Sequence, residues 1–395
     1  MNKSLPKLIR VTTVPISLDK LLEGQLHFLS SYFEIVGVSS PPQDLLQKIE
    51  RREGVVVKAV RMQRGISPLK DLISLWKLIR LFRKEKPQIV HSITPKAGLL
   101  SMLAARIAGV PFRLHTFTGL IFPTQAGAMQ KVLIATDRLL CRCATHIYPE
   151  GQGVRQDLIN YNITKKPLKI LANGNVNGID TSHFDPQVYD ESLKAQLRGE
   201  LGITSEDFVF IFVGRLVSDK GINELVQAFQ NLKLKGGISG QNAKLLLVGP
   251  LETELDPLHE DTLEAIASNA AIISVGYQED VRPYLAVSDA LAFPSYREGF
   301  PNVVMQAGAM SLPSIVTNIN GCNEIIIPNK NGIIIPPKDT EALQDAMQEL
   351  MQNENLYQQL KSNARNLIST RYERQKVWEA LLEEYQGLGV SEPVD

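Results

Sequence analysis

Twelve short runs of apolar, mostly β-branched residues, set apart by longer stretches, constrain this 395-residue chain more than any other feature. The first six are 8–14, 33–38, 55–60, 88–93, 112–117 and 145–148. Between them, stretches such as 69–83, 96–108 and 128–143 place apolar residues every three or four positions, the spacing of a helix. Continuous apolar strands alternating with helices predict a parallel sheet covered on both faces. The rhythm breaks at 171–186 (LANGNVNGIDTSHFDP), a Gly-, Asn- and Asp-rich connector, and restarts with 208–213, 244–248, 271–275, 290–293, 314–317 and 332–335. Residues 340–387 hold only helical patterns. The expected architecture is α/β: two doubly wound, Rossmann-like domains over 1–172 and 173–371, and a last helical segment, 372–395, packing on the first domain. Ligands of open parallel sheets bind beyond the carboxyl ends of the strands, so two such sheets would share a cleft between them.

The formal net charge is zero, with 42 basic and 42 acidic residues, but the charges are segregated. Residues 1–170 carry 26 Lys and Arg against 11 Asp and Glu, a net of +15, which leaves −15 for the remainder. The basic half is expected to face something anionic. Three cysteines, Cys141, Cys143 and Cys322, are too few for a disulfide framework, and Cys-x-Cys without nearby partners is not a metal site. The N-terminus is too polar for a signal peptide, and the most apolar stretch, 97–112, is interrupted by Arg106. A cytoplasmic chain with reduced thiols is expected.

Two loops that follow predicted strands carry the chemistry. In 213–221 (VGRLVSDKG), Gly214, Arg215 and Lys220 lie just before a helix, where free backbone N–H groups also favour anions. Two cations fixed there suit a diphosphate and the negative charge it gains on leaving, although solvated loop cations would read the same way. In 294–308 (PSYREGFPNVVMQAG), a strand runs into a Gly/Pro loop and then a helix starting near Asn302. Glu298 falls at the strand's carboxyl end, Gly299 permits close backbone approach, and Gln306 lies about one turn into the helix. Glu298 and Gln306 suit hydroxyl groups, which need acceptors and donors at fixed places; a helix-capping or solvated carboxylate and a surface amide are the bland alternatives.

Together these segments resemble the donor site of the retaining GT-B glycosyltransferases of family four (group 1 type), whose signature is a Glu, seven residues and a second Glu. Residues 214–221 are similar to that family's diphosphate loop, and 172–180 (ANGNVNGID) to its interdomain connector. Here the second Glu is Gln306, which implies weaker donor binding because an amide accepts a hydrogen bond without charge assistance. The resemblance implies that Arg215 and Lys220 bind the diphosphate of a nucleoside diphosphate sugar, with UDP the expected nucleotide. Glu298 and the backbone of Gly299, Phe300 and Pro301 would meet the sugar, with Asn302 opening the helix beside them. Gln306 would hold the ribose, and Gly276 and Tyr277 would border the base. His115, in 113–120, matches a family active-site histidine; a buried, hydrogen-bonded histidine is the alternative. His91 and Lys96 are candidate acceptor or phosphate contacts with an equal structural alternative. The loop 15–24 should line the cleft, but its usual glycine pair has become Leu-Glu-Gly24.

No Asp-x-Asp occurs in the chain, and the resemblance implies a metal-independent, retaining enzyme without a cofactor. The acceptor implied is a lipid-linked saccharide for surface polysaccharide, an association suggested further by 320–324 (NGCNE). The segment 68–86 (PLKDLISLWKLIRLFRKEK) reads either as a basic amphipathic helix on the inner membrane surface or as a covering helix with a solvated basic face. Nucleic acid finds no recognition module. Two rivals remain: a sugar-nucleotide 2-epimerase of the same architecture, and a non-catalytic nucleotide-binding subunit prompted by Gln306.

Overall fold

The computed structural model describes residues 5–63, 65, 67–234, 242–254 and 256–389. It divides into two compact units, Met1–Gly178 with Arg374–Asp395, and Ile179–Glu373.

The first unit contains β1 (Lys7–Val11), β2 (Glu34–Ser39), β3 (Val56–Ala59), β4 (Ile89–Ile93), β5 (Phe112–Phe117) and β6 (His146–Pro149). They form one sheet in the order β3-β2-β1-β4-β5-β6, with every pair parallel. Burial on both faces explains the continuous apolar runs: Ile9, Val38, Val90 and Leu114 are all fully enclosed. Register sets Arg10 of β1 beside His91 of β4, and Ser92 beside His115 of β5. The helix Arg374–Gly387 belongs to this unit and buries Val377, Leu381 and Tyr385. Its Trp378 packs on Phe28 (ring centroids 5.3 Å apart) and donates from Nε1 to Asn177 Oδ1 at 2.6 Å.

The expected loop 15–24 is a helix over Pro15–Leu21. Proline favours the first helical turn, and Leu18 and Leu22 supply an inward face that the strand-to-strand rhythm hides.

The second unit contains β7 (Asp207–Val213), β8 (Asn242–Val248), β9 (Ile272–Gly276), β10 (Ala290–Phe293), β11 (Ser314–Thr317) and β12 (Gly332–Ile335). The order β12-β11-β10-β7-β8-β9 repeats the first unit's topology, again wholly parallel. In each sheet the strand order reverses between two neighbours, β1 and β4 or β7 and β10. Ligands of doubly wound sheets bind at such a reversal, beyond the strands' carboxyl ends. The helix Thr340–Gln352 packs on β11 and β12 and the helix Glu354–Tyr372 on the helix Asn302–Ala309, with Asp339 accepting from Ala342 N and Asn353 from Leu356 N at their starts.

Candidate active site

At the second unit's switch point, the loop after β7 runs against the loop after β10. Gly221 makes this possible: its φ is +72°, and a Cβ there would lie 2.2 Å from the carbonyl oxygen of Pro294. Tyr296 N donates to Asp219 O at 2.9 Å across the same seam. Lys220 and Glu298 thereby meet in an ion pair, their side chains only 16% and 17% exposed. Ser295 Oγ donates to the same Glu298 oxygen at 2.9 Å. Arg215 reaches instead to Glu252 Oε2 at 2.8 Å and stays about half exposed. Glu252 lies beyond β8, on a loop stitched to the Arg215 loop by Gly214 N to Val248 O and Leu216 N to Pro250 O, each 2.9 Å.

Each of the two cations therefore rests against a carboxylate, and an entering anion would exchange for carboxylate contacts rather than for water alone. Tyr296 donates to Glu224 Oε1 at 2.5 Å; burial, then that carboxylate, push its phenol up and keep it protonated. Serine, tyrosine and Glu252 were not singled out from the sequence. A tyrosine and a serine directly after the apolar run of β10 were the available signal for two of them.

The helix Asn302–Ala309 begins at the same place, after Pro301. Phe300 turns inward, against Tyr372 at 5.5 Å between centroids, so only its backbone faces the loop. Gly299 lies under Gly321, where an added Cβ would come within 2.4 Å of the Gly299 carbonyl oxygen. Gln306 is partly exposed one turn in, and its amide makes no hydrogen bond among the described residues. Gly276 closes β9, and Tyr277 after it is 68% exposed, an open ring face near the end of the strand.

In the first unit the candidate histidines are interior. His91 is 1% exposed; Arg10 Nη1 donates to its Nδ1 at 3.0 Å, and the Tyr385 hydroxyl lies 2.6 Å from the same nitrogen. With Nδ1 accepting, the proton assigned to Nε2 donates to Thr116 Oγ1 at 2.8 Å. Burial, then the Arg10 guanidinium, hold this imidazole well below its ordinary pKa. His115 is also 1% exposed, bonded through Nδ1 to Ser92 Oγ at 2.9 Å, and burial lowers it to about 3. Its ring lies under Gly98, where a Cβ would come within 2.4 Å of Cε1. The sequence set His115 on the right strand, but the side chain points into the interior and offers no face to a ligand in this state. Lys96 pairs with Asp71 at 2.6 Å rather than standing free. Arg10 itself escaped notice, although an arginine inside Leu-Ile-Arg-Val was a visible exception to an apolar strand.

Among the described residues no group of three or more His, Cys, Asp or Glu is placed to hold a metal ion. The three cysteines are unpaired and buried.

Two doubly wound sheets, one with a basic loop and a carboxylate at its switch point, define an α/β class of protein that binds ligands beyond its strand ends. The family model for group 1 glycosyl transferases matches residues 194–367, and that for the glycosyl transferase 4-like domain matches 33–174. The chain is 32% identical, over 95% of its length and 95% of the relative's, to the capsular polysaccharide biosynthesis glycosyltransferase CapM of Staphylococcus aureus. It is 28% identical to the UDP-Gal:alpha-D-GlcNAc-diphosphoundecaprenol alpha-1,3-galactosyltransferase of Escherichia coli, over 77% of this chain and 76% of that one. Among solved structures, a Rickettsia africae glycosyltransferase superposes with TM-score 0.80 at 19% identity, covering 99% of this chain and all of that one. The Anabaena protein HepE, solved with UDP-glucose, gives 0.78 at 17%, covering 96% and 99%. The chain belongs to the group 1 glycosyltransferases, enzymes of the GT-B fold.

Proposed function

We propose that this glycosyltransferase moves a sugar from a UDP-linked donor to a lipid-linked saccharide during surface polysaccharide assembly, with retention of configuration and without a metal. The observation that carries the donor half is the switch-point cluster, in which Arg215 and Lys220 share one loop and Glu298 is held beside Lys220. Arg215 and Lys220 would take the diphosphate and stabilise its charge as the anomeric C–O bond breaks. Glu298 and the backbone from Gly299 to Pro301 would hold the sugar hydroxyls. The acceptor hydroxyl would attack on the face the diphosphate leaves, its proton passing to that leaving group. Gln306 would meet the ribose, and the open ring of Tyr277 would border the base. The UDP and lipid-carrier assignments draw on the relatives: the Escherichia coli enzyme is named for UDP-Gal and a diphosphoundecaprenol acceptor, and HepE was solved with UDP-glucose.

Thermal unfolding with UDP-, GDP- and ADP-sugars, with EDTA and then with Mg²⁺, tests the donor. A ligand that binds only the native state raises the midpoint with its concentration. Stabilisation by UDP-sugars in EDTA is expected. Stabilisation by another nucleotide alone overturns the UDP assignment, and a requirement for Mg²⁺ overturns the metal-free mechanism. Absence of any shift favours the non-catalytic alternative. NMR of the anomeric centre in a product formed on a diphosphoundecaprenol-linked saccharide then reads the stereochemistry.

A further inference from the structure

Where the edge strand β6 of the first unit starts, a cavity of about 540 Å³ lies between His146, the segment 169–172 and the end of the last helix, Arg374–Gly387. That is the volume of a small-molecule site, and the proposed transfer makes no use of it. Leu171, Ala380 and Leu388 give the cavity an apolar lining, while His146, Lys169, Glu383 and Glu384 are its ionisable groups. A Cβ at Gly387, on the same rim, would meet nothing within 4 Å, so the cavity is open on that side.

Hydrogen bonding decides what such a cavity can hold. Glu384 is already engaged at both oxygens: Tyr148 donates to Oε1 at 2.9 Å, and Lys169 pairs with Oε2. Lys166, the other cation near His146, is turned to the carbonyl oxygens of Cys141 (2.7 Å) and Ala144. Thr145 fixes the tautomer of His146. Its hydroxyl donates to Arg113 O at 3.0 Å, so in its 3.0 Å contact with His146 Nδ1 it accepts, and the ring proton is assigned to Nδ1. Nε2 keeps a lone pair and makes no hydrogen bond among the described residues. Burial lowers the pKa of this imidazole, which is therefore uncharged at neutral pH. Glu383 is exposed and makes no ion pair among the described residues. The last turn of its helix holds no basic residue to offset the negative end of the helix dipole. Lys169 and Glu384 cancel, so the cavity keeps one uncompensated negative charge and a free imidazole acceptor.

We infer that this cavity binds a small aliphatic ammonium ion. The ammonium donates to the Glu383 carboxylate and to His146 Nε2, and its hydrocarbon lies on Leu171, Ala380 and Leu388. An anion would face Glu383 and the negative end of a helix. A neutral apolar molecule would take water from Glu383 and return nothing. His146 is the first residue of β6, so the cavity borders the amino end of the sheet, opposite the carboxyl ends where substrates of such sheets bind. The ligand is an effector rather than the donor or acceptor of the transfer, and the inference stands or falls independently of the proposed reaction.

Calorimetric titration of the full chain with putrescine tests it, with 1,4-butanediol as the uncharged isostere. Binding of putrescine, absent for butanediol and undisturbed by UDP, is expected. E383Q and H146F should each weaken it about two- to fivefold, the scale of one partly exposed ion pair or hydrogen bond. Circular dichroism and the unfolding midpoint without ligand should not change in E383Q, whose side chain is exposed. Gly387 lies outside the left-handed region, so G387F sets a ring at the opening without backbone strain and is expected to abolish binding. No heat and no rise in the unfolding midpoint up to about 20 mM putrescine overturns the inference. Equal binding of butanediol does so too, because charge would then not be recognised. Putrescine binding unaltered in both E383Q and G387F, or displaced by UDP, also overturns it and moves the amine to the acidic second unit. Stabilisation by Zn²⁺ that H146F removes, with none by putrescine, would assign the cavity to a metal instead.

Discussion

Lys220 and Glu298, seventy-eight positions apart in sequence, form an ion pair where β7 and β10 adjoin and the loops that follow them pack together. Each is more than four-fifths enclosed, so neither is a surface charge held loosely in solvent. Removing Lys220 takes away a cation aimed at the site and leaves Glu298 without its partner. K220A is therefore expected to lower kcat/KM about 10²–10³-fold, the range for losing one preorganised donor. Steady-state transfer assays check this; unchanged turnover would remove Lys220 from the leaving-group role.

Glu252 competes for Arg215. Neutralising it frees the guanidinium without touching the loop hydrogen bonds that hold the two segments together. E252Q should tighten UDP binding about two- to fivefold, the scale of a half-exposed pair, and most clearly at low salt. Calorimetric titration of wild type and variant measures it, and weaker binding in E252Q would make Glu252 a direct ligand contact instead.

Gln306 can be returned to the charged form of the family signature. A carboxylate gains about 1 kcal/mol over an amide when it accepts from a ribose hydroxyl, so Q306E is expected to bind the donor roughly fivefold more tightly. Kd values for UDP and for the free diphosphate separate the cases, because only the nucleoside-bearing ligand should respond.

His91 and His115 are held neutral in the fold, the second with its pKa lowered to about 3. The unfolded chain titrates near 6.5 and so binds more protons than the native chain below that pH. Their contribution to stability is complete above about pH 6.5 and is lost on acidification at about 1.4 kcal/mol per pH unit for each proton. Urea unfolding at several pH values should show a slope shallower by about one proton in H115N.

Asp137 acts in the opposite sense, with burial raising its carboxyl to about 7 from an unfolded value near 3.8. Between these values the native chain keeps a proton that the unfolded chain has lost, so stability falls as pH rises through the window and stays lower above it. D137N should raise stability by about 1–3 kcal/mol at pH 8 and change little at pH 4. A gain independent of pH would point to packing rather than ionisation.

The sequence by itself determined the fold class, because strands buried on both faces must be apolar throughout and so announce themselves. All twelve runs became strands, six to a sheet. The same logic made Arg215, Lys220 and Glu298 candidates, since they lie in loops that follow apolar strands. Pro15–Leu21 was misread as loop because a single helical turn or two leaves too short a period to see.

What only the tertiary structure decided is which side chains meet. Arg10 reaches His91 because β1 lies beside β4, and both reach Tyr385, on a helix 375 and 294 residues further along the chain. Glu252 finds Arg215 because β8 pairs with β7. The outward turn of Leu69, Leu72, Ile73 and Trp76 was likewise fixed by which side of their helix the sheet took. Hydrophobic periodicity is local and survives in a linear string, whereas strand order, register and the choice of buried face are long-range outcomes of packing. A side chain's partner, its burial and hence its proton affinity follow from those outcomes alone.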